Sequence, residues 1–173
     1  NIISMYPEYP LTIIFDDGCN ITVDNPTNNR GSIWGCNIEV RGNVTFKDNY
    51  FGGFNMTGDI ISSEGSIIFI SLDKQRDQSI ITGDIMANGN LRIDGGTING
   101  NIIANDYLLV DGGTFTGNIT TNDNLIMNNA IVNGIIYVGA TATGISVIST
   151  NIGLGDVPNQ YCIVFDSDLD VAS

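Results

Sequence analysis

The sequence contains an ungapped repeat of 17 residues, which restricts the chain to folds built from stacked copies of one unit. Residues 83–99, 100–116 and 117–133 align row on row, and each row begins with glycine. A fixed period in this range is typical of solenoids, in which successive units stack and bury a shared core. Stacking these rows would place residues that are 17 positions apart directly above one another.

Several columns of the repeat are apolar in every row. They fall in short segments that alternate between apolar and polar residues and are separated by Gly, Asn and Asp, which is typical of half-buried strands joined by turns. We expect three columns to line the core: Ile85, Ile102, Ile119 and Ile136; Leu91, Leu108 and Leu125; and Ile93, Val110 and Met127.

Two further columns are expected at turns. Glycine tolerates a positive φ at corners, and asparagine tolerates it next best. The glycine column is Gly83, Gly100, Gly117 and Gly134. The asparagine column is Asn88, Asn105 and Asn122, which we expect to form a hydrogen-bonded amide ladder along the stack.

These features predict an all-β fold, a single-stranded, right-handed parallel β-helix (β-solenoid) of about seven coils of ~17 residues. Rows are expected to start at residues 19, 36, 58, 83, 100, 117 and 134. We predict an N-terminal segment or cap over residues 1–17, the solenoid over 18–150 and a C-terminal cap or tail over 151–173. Strands at 11–15 and 161–165 would cover the two ends of the stack.

The central rows resemble the bactofilins, bacterial cytoskeletal proteins with a right-handed β-helical core. The shared features are the starts Gly83-Asp84-Ile85 and Gly100-Asn101-Ile102 and the Asp-Gly-Gly turns at 94–96 and 111–113. The resemblance covers about residues 83–139 and implies a subunit that polymerises end to end without nucleotide. The content of Asn, Ile, Gly and Thr also resembles that of phage and virus fibre proteins and of bacterial adhesins.

Charge and composition exclude several classes of function. The 19 acidic and 6 basic residues give a net charge of −13, which would repel nucleic acid and anionic lipid headgroups. We therefore expect no nucleic-acid partner and no membrane insertion. The sequence has no histidine, so histidine-dependent triads and histidine-bound metals are absent. With aromatic residues at only 8%, no column combines carboxylates with aromatic platforms, and we expect no catalytic residues, cofactor or metal.

Two cysteines are a candidate disulfide. Cys19 and Cys36 start two successive rows in the predicted alignment, so their α-carbons would lie about 4.8 Å apart, within the range that a disulfide accepts. The alternative is that both are small residues in place of the glycine of that column.

The resulting hypothesis is a non-enzymatic structural β-solenoid within a larger assembly. The assembly would be a virion fibre, spike or decoration protein or a self-assembling filament, with other copies or other assembly proteins as partners. The alternative is a surface adhesin that binds a glycan or protein receptor through loops at residues 47–57 and 71–79. A polysaccharide-degrading β-helix enzyme is the third reading. We expect the protein on a virion or cell surface, with a cytoplasmic filament as the alternative.

Overall fold

The computed structural model describes residues 11–15, 19–23, 33–48, 55–70, 79–139, 141–148, 150–153 and 163–166. Within these residues the chain forms 21 strands, and each pairs in parallel with the equivalent strand of a neighbouring coil. The strands form three stacked parallel sheets, which we call face 1, face 2 and face 3 in the order in which a coil passes through them. The predicted parallel β-helix is thus confirmed, while its right-handed sense and its number of coils stay predictions.

Face 1 has the largest number of strands among the described residues. Its strands are β1 (Leu11–Phe15), the second half of β3 (Ile33–Val40), β6 (Ile60–Ser62), β9 (Ile85–Ala87), β12 (Ile102–Ala104), β15 (Ile119–Thr121), β18 (Ile136–Gly139) and β21 (Ile163–Asp166).

Faces 2 and 3 complete each coil. Face 2 consists of β2 (Cys19–Val23), β4 (Val44–Asp48), β7 (Ile67–Ile70), β10 (Leu91–Ile93), β13 (Leu108–Asp111), β16 (Leu125–Asn128) and β19 (Ile145–Ile148). Face 3 consists of the first half of β3, β5 (Asn55–Thr57), β8 (Ile80–Thr82), β11 (Thr97–Asn99), β14 (Thr114–Thr116), β17 (Ile131–Asn133) and β20 (Asn151–Gly153). Because β3 runs through both faces, it joins faces 3 and 1 into one continuous sheet.

Alternation along the short strands determines which side chains enter the core. On faces 1 and 2 the first and third residues point inward, whereas on face 3 only the middle residue does. The columns that the sequence assigns to the core are all buried, with relative exposures of 0–1%. Face 3 adds Ile98, Phe115 and Val132 to them. Near the N-terminal end, Phe46 and Phe69 stack with ring centroids 4.8 Å apart, so aromatic rings fill the core where the rows are irregular.

The register of the first row differs from the sequence alignment. Cys36 lies opposite Leu11 on face 1, whereas Cys19 lies opposite Val44 on face 2. The alignment of Cys19 with Cys36 is therefore wrong, and the candidate disulfide loses the geometric argument on which it was based. The reason is that no glycine marks the start of this row, so two strands of similar alternation could be assigned to either face.

The two strands expected to cover the ends are members of the ladder. β1 pairs in parallel with β3, and β21 pairs in parallel with β18, with Ile163 opposite Ile136. β20 likewise extends face 3 beyond β17. Residues 1–10 and 167–173 of the expected terminal segments lie outside the described residues. Among the described residues, the parallel ladder therefore extends from Leu11 to Asp166.

Candidate functional surfaces

A ladder of short polar side chains follows the corner where each coil enters face 1. Each side-chain oxygen accepts a hydrogen bond from a backbone N–H of the next coil, at donor–acceptor distances of 2.6–3.1 Å. The acceptors, in order, are Asn37, Asp59, Asp84, Asn101 and Asn118. The sequence analysis missed this ladder, although its signal was present: the variable residue of each glycine-x-isoleucine start is Asp or Asn.

Asp84 provides a test of the corner ladder. Its Oδ1 atom accepts from the backbone N–H of Asn101 at 2.6 Å and from the Asn101 side-chain amide at 3.2 Å. Replacing Asp84 by alanine removes this acceptor, and we expect a loss of about 1–2 kcal/mol in the free energy of unfolding. Asp84→Asn keeps Oδ1, and the next two members of the ladder are already asparagines, so we expect a change below about 0.5 kcal/mol. Urea unfolding followed by circular dichroism would measure both variants, and equal losses would contradict this role.

A second ladder joins side chains directly at the corner between faces 1 and 2. The amide nitrogen of Asn105 donates to Oδ1 of Asn88 at 2.6 Å, and that of Asn122 donates to Oδ1 of Asn105 at 3.4 Å. These are the three asparagines for which the sequence predicts an amide ladder. At the end of the row, the hydroxyl group of Thr141 donates to the carbonyl oxygen of Asn122 at 2.7 Å.

The glycine column is required mainly by close approach of the backbones. A Cβ atom on Gly100 would overlap the carbonyl oxygen of Gly83, and the other members meet the glycine one coil earlier in the same way: Gly83, Gly117 and Gly134. Gly117 also has a φ of 136°, whereas Gly100 does not adopt a positive φ. The expectation that positive φ explains this column is therefore incomplete, because adjacent coils leave no room for a side chain here.

The charged turns after face 2 are neutralised within the protein. Asp94 and Asp111 occupy the same position in successive rows, where stacked carboxylates were expected. Arg92 forms a bidentate pair with Asp94, with nitrogen–oxygen distances of 2.9 and 2.8 Å. The hydrogen bond and charge of Asp94, and to a lesser degree the charge of Asp111, raise the pKa of Arg92 above its ordinary value. A raised pKa stabilises the folded state at every pH below the ordinary value, so this pair adds no pH dependence near neutrality.

The core is open at its C-terminal end. Ile145 and Phe165 continue two core columns, but they are 39% and 64% exposed, whereas their partners one coil earlier, Leu125 and Val138, are fully buried. The remaining core columns end in side chains that are only partly buried: Val147, Ile152 and Ile163. This end therefore presents apolar side chains together with strand edges that have a partner on one side only in the described ladder.

The outward surfaces of the faces differ in chemistry. Face 1 presents one outward column that is mostly apolar, and Met86 in this column is 41% exposed. Face 3 presents two outward columns of Thr, Asn and Ile, with Thr116 and Asn133 exposed. Face 2 includes the Arg92–Asp94 pair. The loops in which a receptor site was predicted lie mostly outside the described residues, at 49–54 and 71–78.

The fold and its ladders define the chain as a repetitive parallel β-solenoid. Comparisons with protein-family models, with curated proteins and with solved structures found no match. In the part of the chain that the structure describes, no helix has the length and apolar character needed to cross a bilayer. The same residues contain no group of three or more Cys, Asp or Glu side chains placed to hold a metal ion.

Proposed function

We propose that the chain is a non-enzymatic structural rod that works inside a larger assembly, a virion fibre, spike or decoration protein or a filament, and that other copies of the chain are its partners. The observation that carries this proposal is the open C-terminal end of the core. Apolar side chains at 39% and 64% exposure are costly to leave in water, since burying a side chain of this size contributes about 1.5–3 kcal/mol.

The two ends of the described ladder are compatible with stacking of one copy on the next. At the C-terminal end, β19, β20 and β21 each have a free edge within the described ladder. At the other end, β1 and β2 begin faces 1 and 2. Ile13 and Ile21 in these strands occupy register positions of core columns, opposite the buried Ile38 and Phe46. A further coil supplied by a neighbouring copy would continue both the backbone pairing and the core.

Contact between two different ends of identical subunits is heterologous. Such contacts form rings when the rotation closes and open filaments when it does not. A β-solenoid adds each coil along a nearly straight axis, so end contacts between copies favour linear growth. The ladders of polar side chains hold adjacent coils in register, which would give such a rod its stiffness.

Substitutions at the open end test this proposal. In the double variant Ile145→Asp, Phe165→Asp, two carboxylates would have to be buried without partners during stacking, which is strongly unfavourable. We expect the wild-type chain to sediment as concentration-dependent oligomers and the double variant to sediment as a monomer. The matched control is Ile131→Asp, an exposed isoleucine at 47% on the side of the rod.

The control should assemble like the wild type, and negative-stain electron microscopy should show filaments or rods for both. A wild-type chain that stays monomeric at every concentration would contradict self-association. Loss of assembly in the control as well would show that the effect is not specific to the end of the core.

A further inference from the structure

The outward column of face 1 is uncharged over most of the rod. From β6 to β21 the column consists of Ile61, Met86, Ile103, Thr120, Tyr137 and Val164, which lie in register. Met86 and Val164 are 41% and 39% exposed, and the members between them are partly exposed. In a chain with a net charge of −13, an uncharged stripe across six consecutive strands is a distinct surface.

Acidic residues lie at both corners that border this column. Asp59 and Asp84 lie at the corner where the chain enters face 1, and the corner ladder uses only the Oδ1 atom of each. Glu64, Asp106 and Asp123 lie at the corner where the chain leaves it. Among the described residues from Ile60 to Val138, the sole cationic side chain is Arg92, which is on face 2 and paired with Asp94. The apolar column is therefore bordered by negative charge.

We infer that face 1 docks an amphipathic helix of a partner protein, with apolar residues on the column and lysine or arginine against the acidic corners. Charge complementarity favours this occupant over a second copy of face 1, because two such faces would bring acidic corners together. The same negative charge opposes binding to an anionic membrane.

The dimensions of the face suit a helix. Six strands about 4.8 Å apart span about 24 Å, which equals about 16 residues of helix at a rise of 1.5 Å per residue. One helical turn rises about 5.4 Å, close to the strand spacing, so one apolar residue per turn can meet one strand. Strands of three residues make face 1 narrow, and a helix about 10 Å wide would reach the charged residues at both corners.

The test uses a synthetic 16-residue peptide helix with leucines along one face and lysines on either side. Fluorescence anisotropy would measure its binding to the full chain. Met86→Lys places a like charge inside the apolar contact, and we expect it to weaken binding by about tenfold or more. The triple variant Asp84→Asn, Asp106→Asn, Asp123→Asn should weaken binding several-fold and reduce its dependence on salt, because exposed charges are screened by ions.

The matched control is Leu109→Lys. Leu109 is an outward, half-buried residue of face 2, so this variant adds the same charge outside the proposed contact. It should bind the peptide like the wild type, and a peptide with the same residues in scrambled order should bind weakly. Circular dichroism and thermal unfolding would establish that each variant is folded.

Three results would overturn the inference. Equal weakening by Met86→Lys and Leu109→Lys, or equal binding of the scrambled peptide, would reduce the effect to unspecific charge attraction. Conversion of a dimer to a monomer by Met86→Lys, measured by sedimentation with Ile145→Asp, Phe165→Asp as background, would identify a second copy as the occupant. Binding to phosphatidylcholine vesicles that Met86→Lys abolishes would identify a lipid surface instead. Met86 lies away from the ends of the rod, so failure here would leave end-to-end assembly unaffected.

Discussion

Gly100→Ala is expected to lower the free energy of unfolding by about 3 kcal/mol, the upper part of the range for inserting atoms into a packed site. The added Cβ atom would overlap the carbonyl oxygen of Gly83, which is backbone and cannot rotate away. Neighbouring coils would have to separate, which weakens the hydrogen bond from Gly100 N–H to the Thr116 carbonyl oxygen, 2.9 Å in the wild type. Urea unfolding monitored by circular dichroism would show the change as a shift of the midpoint.

Gly112→Ala separates this close-contact effect from backbone strain. Gly112 has a φ of 83°, but a Cβ atom there would have ordinary contacts, the nearest to the α-carbon of Gly95 at 3.9 Å. We expect a cost of about 1–2 kcal/mol from the left-handed backbone alone. If Gly112→Ala is as damaging as Gly100→Ala or more so, the glycine column is explained by φ and not by the stacking of coils.

Phe115→Ala is expected to cost about 3–5 kcal/mol, as large-to-small substitutions of buried aromatic residues do. Phe115 is fully buried on face 3 and lies between Ile98 and Val132, so its removal leaves a cavity in the middle of the core. Coils on both sides depend on this contact, since a single coil cannot bury its own apolar face. The loss should appear in thermal unfolding and in hydrogen exchange of the strands on either side.

Phe165→Ala is the matched control for this substitution. Phe165 belongs to another core column but is 64% exposed at the end of the rod, so its removal should cost less than about 1 kcal/mol. If Phe115→Ala fails to fold, Phe115→Leu offers a milder variant, with an expected cost of about 1.5 kcal/mol. Comparable losses for Phe115→Ala and Phe165→Ala would mean that the core is as tightly covered at its end as in its middle.

The central part of the fold could be predicted because its rows have equal length. When three rows of 17 residues follow without a gap, every residue identifies the one it stacks on, and the core columns follow from alternation alone. The N-terminal register could not be obtained in this way. Leu11 and its partner Cys36 are separated by an irregular interval, and strands that alternate alike fit face 1 or face 2 equally well until their pairing is known.

The candidate surfaces were less predictable than the core. The amide ladder of Asn88, Asn105 and Asn122 could be predicted because identical residues recur in one column. The corner ladder mixes Asp with Asn, and its function depends on an oxygen atom that both share, so a search for identical residues misses it. The open end and the apolar column of face 1 depend on which side chains are exposed, and alternation in short strands does not indicate that.

The corner ladder also has a consequence for how such a protein can evolve. Each row accepts a hydrogen bond from the next through the same atom and donates to the previous one in return. A duplicated or deleted row of 17 residues would therefore leave no donor or acceptor unsatisfied in the interior. The length of the rod can accordingly change in steps of about 4.8 Å by in-frame recombination, so the molecule can serve as a ruler whose graduations are single coils.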